Sequence, residues 1–313
     1  MAIPGKRRLY QMLKGTLSRL LLSVEPDLPS GVSFSLRKDR HVQVPGRTNI
    51  RPPSKLLLAL EGCRALLEYY ATLAALPILR SAPRGDGHSV LIFPGLTASD
   101  ASTLTLREFL RAHGYRAHEW GLGLNLGPRE GVLDACLDRV RKLRAESGRK
   151  VSLIGWSLGG IYAREMAKLA PDDVRCVITL GTPFTGSPRA TNAWRVYELA
   201  SGERIDGMDS SRFASPPPVP TTSIFSRTDG VVAWQCSVER ETATTENIEV
   251  EGSHIGLGAH PAVVYAIADR LAQVEGAWTK FDRQSGLRSL FYNDPHRKEP
   301  RNERARTAVL RPA

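Results

Sequence analysis

The chain has 313 residues, of which 42% are apolar, 24% charged and 7% aromatic, which excludes whole-chain disorder and low-complexity or collagen-like polymers. Its formal charge of +11 is terminal: residues 1–55 carry +8 and residues 276–313 carry +5, leaving a near-neutral body between them. That distribution concerns solubility and anionic partners for the ends, not the fold, and with no aromatic-basic interleaving or known module a nucleic-acid partner is not expected.

Residues 7–24 set Leu9, Leu13, Leu17, Leu20 and Val24 on one helical face, with Arg8, Lys14 and Arg19 elsewhere. This is the pattern of a basic amphipathic helix, which either makes peripheral contact with an anionic membrane or docks on its own body. Lys14 and Arg19 interrupt the apolar stretch and no small-x-small site closes it, so a signal peptide is not expected. Pro26, Pro29, Pro45, Pro52 and Pro53 then punctuate a polar, basic linker. Ser54 is placed to cap a helix running to Leu76, with Pro77 and the turn Ala82-Pro83-Arg84-Gly85 as its stop. Glu61, Arg64 and Glu68 recur on it at spacings of three and four, a single polar stripe that argues against a membrane span.

From His88 onward, short apolar runs alternate with amphipathic segments. Strands are expected at Val90–Phe93, Tyr115–Trp120, Val151–Ile154, Val174–Leu180, Thr222–Phe225 and Ile248–Val250. Helices are expected over 103–112, from Pro128 to Glu146, over 159–169 and from Pro261 to Val274. Strand–helix alternation implies an α/β fold with a mostly parallel sheet and right-handed crossovers. Between the fourth and fifth strands lies a long insertion, 182–220, ending in Pro216-Pro217-Pro218-Val219-Pro220. An excursion of that length reads as a cap or lid, with Phe184, Trp194, Val196, Tyr197 and Leu199 as apolar surface and Thr191 as a helix cap. Cys63, Cys136, Cys176 and Cys236 have neither C-x-x-C nor metal-ligand spacing, so buried free thiols, no metal site and a cytoplasmic location are expected.

The chemistry is carried by Gly155-Trp156-Ser157-Leu158-Gly159, which follows an apolar strand and precedes a helix. In that context G-x-S-x-G is a nucleophile elbow: the chain turns too sharply for side chains at the two glycines and lifts the Ser157 hydroxyl above the sheet edge. The same turn aims the Leu158 amide at an oxyanion formed there. A serine hydroxyl needs a base held by a third group, and the motif predicts the chain order serine, acid, histidine. Asp229 follows the fifth strand and His254 the sixth, both in loops. Asp229 also reads as a turn residue before Gly230, and His260, next to Pro261, as a helix cap or supporting group. His41, His88, His113 and His118 read as solvated or structural. The second oxyanion donor should come from Phe93-Pro94-Gly95-Leu96-Thr97 after the first strand, with the Leu96 amide as the choice. Gly121-Leu122-Gly123-Leu124-Asn125-Leu126-Gly127-Pro128 lacks the spacing of a nucleotide fingerprint and reads as a loop at the mouth, its leucines offering apolar surface.

Taken together, Phe93-Pro94-Gly95-Leu96, the elbow, Leu180-Gly181-Thr182-Pro183, Arg227-Thr228-Asp229-Gly230-Val231-Val232 and Gly252-Ser253-His254 resemble the lipase/esterase-type α/β-hydrolases. The likeness spans residues 88–275 and is to the branch with triacylglycerol lipases and GPI-inositol-deacylase-like proteins. It implies the α/β-hydrolase fold and carboxylic-ester hydrolysis through an acyl-enzyme. Ser157 would be nucleophile, His254 base and Asp229 its orienter, with the amides of Leu96 and Leu158 as oxyanion hole and no cofactor. Two departures stand out: the helix 54–76 occupies the place of the family's first two strands, and Pro94-Gly95 replaces a His-Gly pair. Acyl transfer or thioester cleavage would use the same three side chains, and a non-catalytic binding protein of this fold is the rival from another class. The expected organisation is a helical extension over 1–87, a catalytic domain over 88–275 and a basic tail over 276–313. The expected partner is a small acyl-ester substrate.

Overall fold

The structure, a computed structural model, describes residues 50–205 and 211–298. The chain divides into two units, Met1–Val44 and Pro45–Ala313. The first lies outside the described residues, and with it the amphipathic helix expected over 7–24 and His41. Asp206, Asp209 and the end of the basic tail also lie outside them.

Six strands form one sheet: β1 (Ser89–Phe93), β2 (Arg116–Glu119), β3 (Val151–Trp156), β4 (Val174–Leu180), β5 (Thr221–Ser226) and β6 (Thr245–Val250). Their order is β2-β1-β3-β4-β5-β6 and every pairing is parallel. Parallel neighbours cannot be joined by tight turns, so the chain crosses over between them. Helix α1 (Lys55–Leu79) precedes the sheet, and α2 (Leu104–Ala112), α3 (Val132–Ser147) and α4 (Leu158–Leu169) make the first three crossovers. Short helices α5 (Trp194–Ser201) and α6 (Ser211–Ala214) lie between β4 and β5, and α7 (Pro261–Leu271) follows β6.

Alternate strand residues feed two cores. Val90, Ile92, Ile154 and Ile248 point toward Leu106 and Leu110 of α2 and Val263 and Ile267 of α7. Leu91, Phe93, Leu153 and Val177 point the other way, toward Val140 of α3 and Tyr162 and Met166 of α4. Burial on both faces is the reason these strands read as continuous apolar runs. Phe281 and Tyr292, beyond α7, complete the first core, and Asn293 bridges Glu249 along the β6 edge. Covering an edge strand in this way blocks its pairing with another chain.

Four boundaries differ from expectation by three residues or more. β6 starts at Thr245, three residues early, because its polar beginning is buried and paired. Glu246 accepts from Thr222 (2.8 Å), Arg270 (3.1 Å) and the Phe281 amide (2.6 Å), and Asn247 is paired with the backbone of Glu239. α3 starts at Val132 and not at Pro128, because Gly131 takes a left-handed φ of 80° just before it. α7 stops at Leu271, with Ala272 as its C-cap. α1 is capped by Ser54, whose Oγ accepts from the Leu57 amide, but continues past Pro77 to Leu79. So close to the end, the carbonyl that Pro77 leaves unpaired belongs to the exposed turn at Leu73. Cys63 is exposed on this helix, contrary to a buried thiol, while Cys136 and Cys236 are buried. No described helix is long and apolar enough to cross a membrane.

Candidate active site

Strand order reverses at β1 and β3, whose chain continuations leave the sheet on opposite faces; the crevice beyond their carboxyl ends is where α/β sheets bind ligands. Ser157 stands there, between β3 and α4, with φ 53° and ψ −122°. Among the described residues only Ser157 and Thr97 combine a side chain with positive φ. Such backbone costs on the order of 1–3 kcal/mol each and persists only where the surroundings impose it. Packing imposes it here. A Cβ on Gly155 would lie 2.3 Å from the Cα of Gly160, and one on Gly159 2.3 Å from the carbonyl oxygen of Phe93. Neither position admits a side chain.

Those contacts press the elbow against the loop after β1, and a Cβ on Gly95 would meet the Ser157 Cβ at 3.4 Å. The amides of Leu96 and Leu158, one on each side of this contact, donate to no acceptor among the described residues. The loop is fastened by Asn125, which is fully buried. Its Nδ2 donates to Pro94 O (2.8 Å), its Oδ1 accepts from the Gly127 amide (3.2 Å) and from Tyr162 (3.2 Å), and its backbone pairs with Thr97 and Ala98. Asn125 belongs to no motif; its signal in the sequence is a lone amide side chain inside a glycine-rich loop. Leu122 and Leu124 of that loop are exposed.

Asp229 and His254 meet. Both are buried, and His254 Nδ1 lies 2.6 Å from Asp229 Oδ2, while Asp229 Oδ1 accepts from the amides of Val231 (2.8 Å) and Val232 (2.7 Å). Gly181, after β4, has φ 54°, and a Cβ there would stand 3.0 Å from His254 Nδ1. Burial alone would hold the imidazole neutral, but the carboxylate of Asp229, through charge and hydrogen bond, and the charge of Glu61 raise its pKa above the usual histidine value. Trp156 Nε1 donates to His254 O (3.0 Å), tying the residue before the serine to the histidine loop. No hydrogen bond joins Ser157 Oγ to His254 among the described residues.

Helix α1 supplies residues that the sequence reading does not assign to the site. Glu61 is buried, and its Oε1 accepts from the amides of Gly230 (2.8 Å) and His254 (3.1 Å), its Oε2 from that of Ile255 (2.8 Å). Glu68 accepts from the amide and hydroxyl of Ser253 at 2.7 and 2.6 Å. Arg64 donates to the carbonyl (2.6 Å) and hydroxyl (2.8 Å) of Thr228. The polar stripe therefore faces inward and holds the acid and histidine loops together. Gly230 is required by the same contact, since a Cβ on it would lie 2.6 Å from the backbone of Leu57.

His260 is the N-cap residue of α7, makes no side-chain cap bond and keeps Nδ1 buried without a partner. His88 is buried between Asp86 and Ser152, and His113 binds the carbonyls of Phe109 and Leu79. In the insertion, Val196 and Leu199 are exposed on α5, while Phe184 is fully buried beneath the Arg164 guanidinium, 3.9 Å from its ring centre, and offers no surface. Thr191 is not the N-cap of α5, a position Ala193 holds; it follows the 3-10 turn Pro188–Ala190, and its hydroxyl donates to Pro188 O.

The alpha/beta hydrolase family is matched over residues 85–301. The chain belongs to that family. Among its relatives, a pimeloyl-[acyl-carrier protein] methyl ester esterase of Aliivibrio fischeri is 32% identical over 114 residues, covering 36% of this chain and 42% of the relative. A triacylglycerol lipase of Pseudarthrobacter phenanthrenivorans is 40% identical over 82 residues, covering 25% of each chain. The chain thus spans less than half the length of these curated relatives. Among solved structures, lipase B of Aspergillus fumigatus superposes with a TM-score of 0.49 at 17% identity, over 67% of this chain and 58% of that one. Among the described residues β1 is the first strand, and α1 stands before it.

Proposed function

We propose that this alpha/beta hydrolase cleaves carboxylic esters through an acyl-enzyme, with Ser157 as nucleophile, His254 as base and Asp229 as its orienter. The observation that carries the reading is the buried 2.6 Å bond between Asp229 and His254 at the same sheet edge as the strained elbow. With Nδ1–H donated to Asp229, the His254 Nε2 is left as acceptor and takes the Ser157 proton as Oγ attacks the ester carbonyl. The carbonyl oxygen becomes an oxyanion within reach of the free amides of Leu96 and Leu158. Collapse of the adduct breaks the ester C–O bond, and His254 returns the proton to the leaving alkoxide. Water, deprotonated by His254, then attacks the acyl-serine, and Ser157 leaves with the proton.

An apolar acyl chain fits the surroundings. Leu122 and Leu124 line the glycine-rich loop, and α5 packs on that loop, with Tyr197 and Ser201 against Gly127 and Arg129 bonded to Ala200 O (3.1 Å). The insertion 182–220 is read as a cap, its return limb stiffened by Pro216–Pro218 and Pro220. Both relatives named above are called after esters of acyl chains. Four free cysteines accord with a cytoplasmic location, and the basic segment 7–24 with peripheral membrane contact. The test is hydrolysis of p-nitrophenyl esters from short to long acyl chains, with Ser157→Ala as control and an organophosphonate to map the nucleophile. Turnover that survives in Ser157→Ala, or labelling of a different serine, refutes the assignment.

A further inference from the structure

Helix α1 turns its charged residues inward. After Lys55 its charged residues are Glu61, Arg64 and Glu68, and all three are spent on the acid and histidine loops. The outward side carries Leu56, Leu60, Leu67, Tyr70, Leu73 and Ile78, with Leu56, Leu67 and Ile78 each 69% exposed. Helix geometry spreads this uncharged strip over about 33 Å, a contiguous exposed apolar face of the kind that marks an interaction surface.

Charge at the two ends says what covers it. Arg51 and Lys55 are exposed at the N-terminal end, Arg80 and Arg84 at the C-terminal end, and no acidic residue other than Glu61 and Glu68 lies between Arg51 and Arg84. A second copy laid along this strip, parallel or antiparallel, would bring basic end against basic end. A surface with an apolar interior and anionic headgroups meets both features at once.

We propose that the outer face of α1 docks on an anionic lipid surface, its leucines and Tyr70 entering the headgroup–acyl boundary and its basic ends resting on phosphates. One helix diameter, about 10–12 Å, then separates the lipid from the loops that carry Asp229 and His254. The inference needs no contribution from residues 7–24 and does not depend on the ester-hydrolase reading.

Cys63 is the exposed thiol of this helix and serves as the probe position. The full chain, labelled there with an environment-sensitive dye, is mixed with phosphatidylcholine vesicles with and without phosphatidylglycerol. On the anionic vesicles the emission should shift to the blue, be quenched by spin-labelled lipid chains and revert with added salt. Leu60→Glu combined with Leu67→Glu should weaken partition about tenfold or more while turnover of a soluble short-chain ester and the melting temperature stay unchanged. Partition without a dye response places the contact on another segment, and undiminished partition of the double variant removes α1 from it; either result overturns the proposal. So does a dimer of the parent chain, seen by light scattering, that the double variant abolishes. A parent chain without ester turnover counts against the hydrolase reading alone and leaves the vesicle result standing.

Discussion

The two halves of the site are built in different ways. The serine half is local: strand, elbow and helix are consecutive, and Gly155, Ser157 and Gly159 form the turn within five residues. The acid–histidine half is assembled at long range. Gly230 is bonded to Glu61 across 169 residues, and His254 and Ile255 to the same carboxylate across 193 and 194. The first half needs little beyond the sheet to hold its shape; the second depends on where α1 docks. Function in the two should therefore fail differently when a residue is changed.

Loss of the proposed nucleophile should give the largest effect. Ser157→Ala should lower kcat by about 10⁶-fold with the melting temperature preserved, because a small, partly exposed hydroxyl is removed from a turn held by glycines. Hydrogen exchange of the histidine loop should be unaltered in this variant; loosening there would mean that the halves are not separately built. Asp229→Asn comes next, on the order of 10⁴-fold in kcat, since the imidazole loses its orienting acceptor. Asp206→Asn and Asp209→Asn, carboxylates of the insertion that also lie between Ser157 and His254 in the chain, should stay near parent activity, and equal small losses in all three variants would refute Asp229 as the acid.

Glu61→Gln tests the long-range half directly. An amide replaces one carboxylate oxygen, so at least one loop amide loses its acceptor, and kcat should fall on the order of ten- to a hundredfold. A pH profile separates positioning from mere stability. As the proposed base, His254 must be neutral to accept the proton; its raised pKa means that activity should fall as pH drops through a value above about 6.5. Removing the Glu61 charge lowers that pKa, so the acidic limb should move to lower pH; an unmoved limb with reduced kcat would make Glu61 structural only. The smallest effect is expected at the cap. Leu199 is 88% exposed on α5, and Leu199→Ser should lower the ratio of long- to short-chain kcat/KM by less than about tenfold, with short-chain turnover unchanged. Replacing 187–215 by a Gly/Ser linker should shift the same ratio further, and an unchanged ratio would refute the cap role.

The six strands, their parallel class and the G-x-S-x-G elbow were legible in the residues alone, because each rests on short-range rules: apolar runs for strands buried on both faces, and glycines where the chain turns sharply. The sequence also ordered Ser157, Asp229 and His254 in loops that follow strands. The first three residues of β6 escaped it, since Thr245, Glu246 and Asn247 are polar and are buried only because partners from β5, α7 and the preceding loop satisfy them. Asn125 escaped it for the same reason: its worth lies in backbone atoms of Pro94 and Gly127 that folding brings to it. The largest revision concerns α1. Its periodicity showed a polar stripe, but spacing carries no information on which face of a helix turns toward the protein. Only tertiary packing, with three loop amides in need of one buried acceptor, set Glu61 against the histidine loop and left the leucines outside.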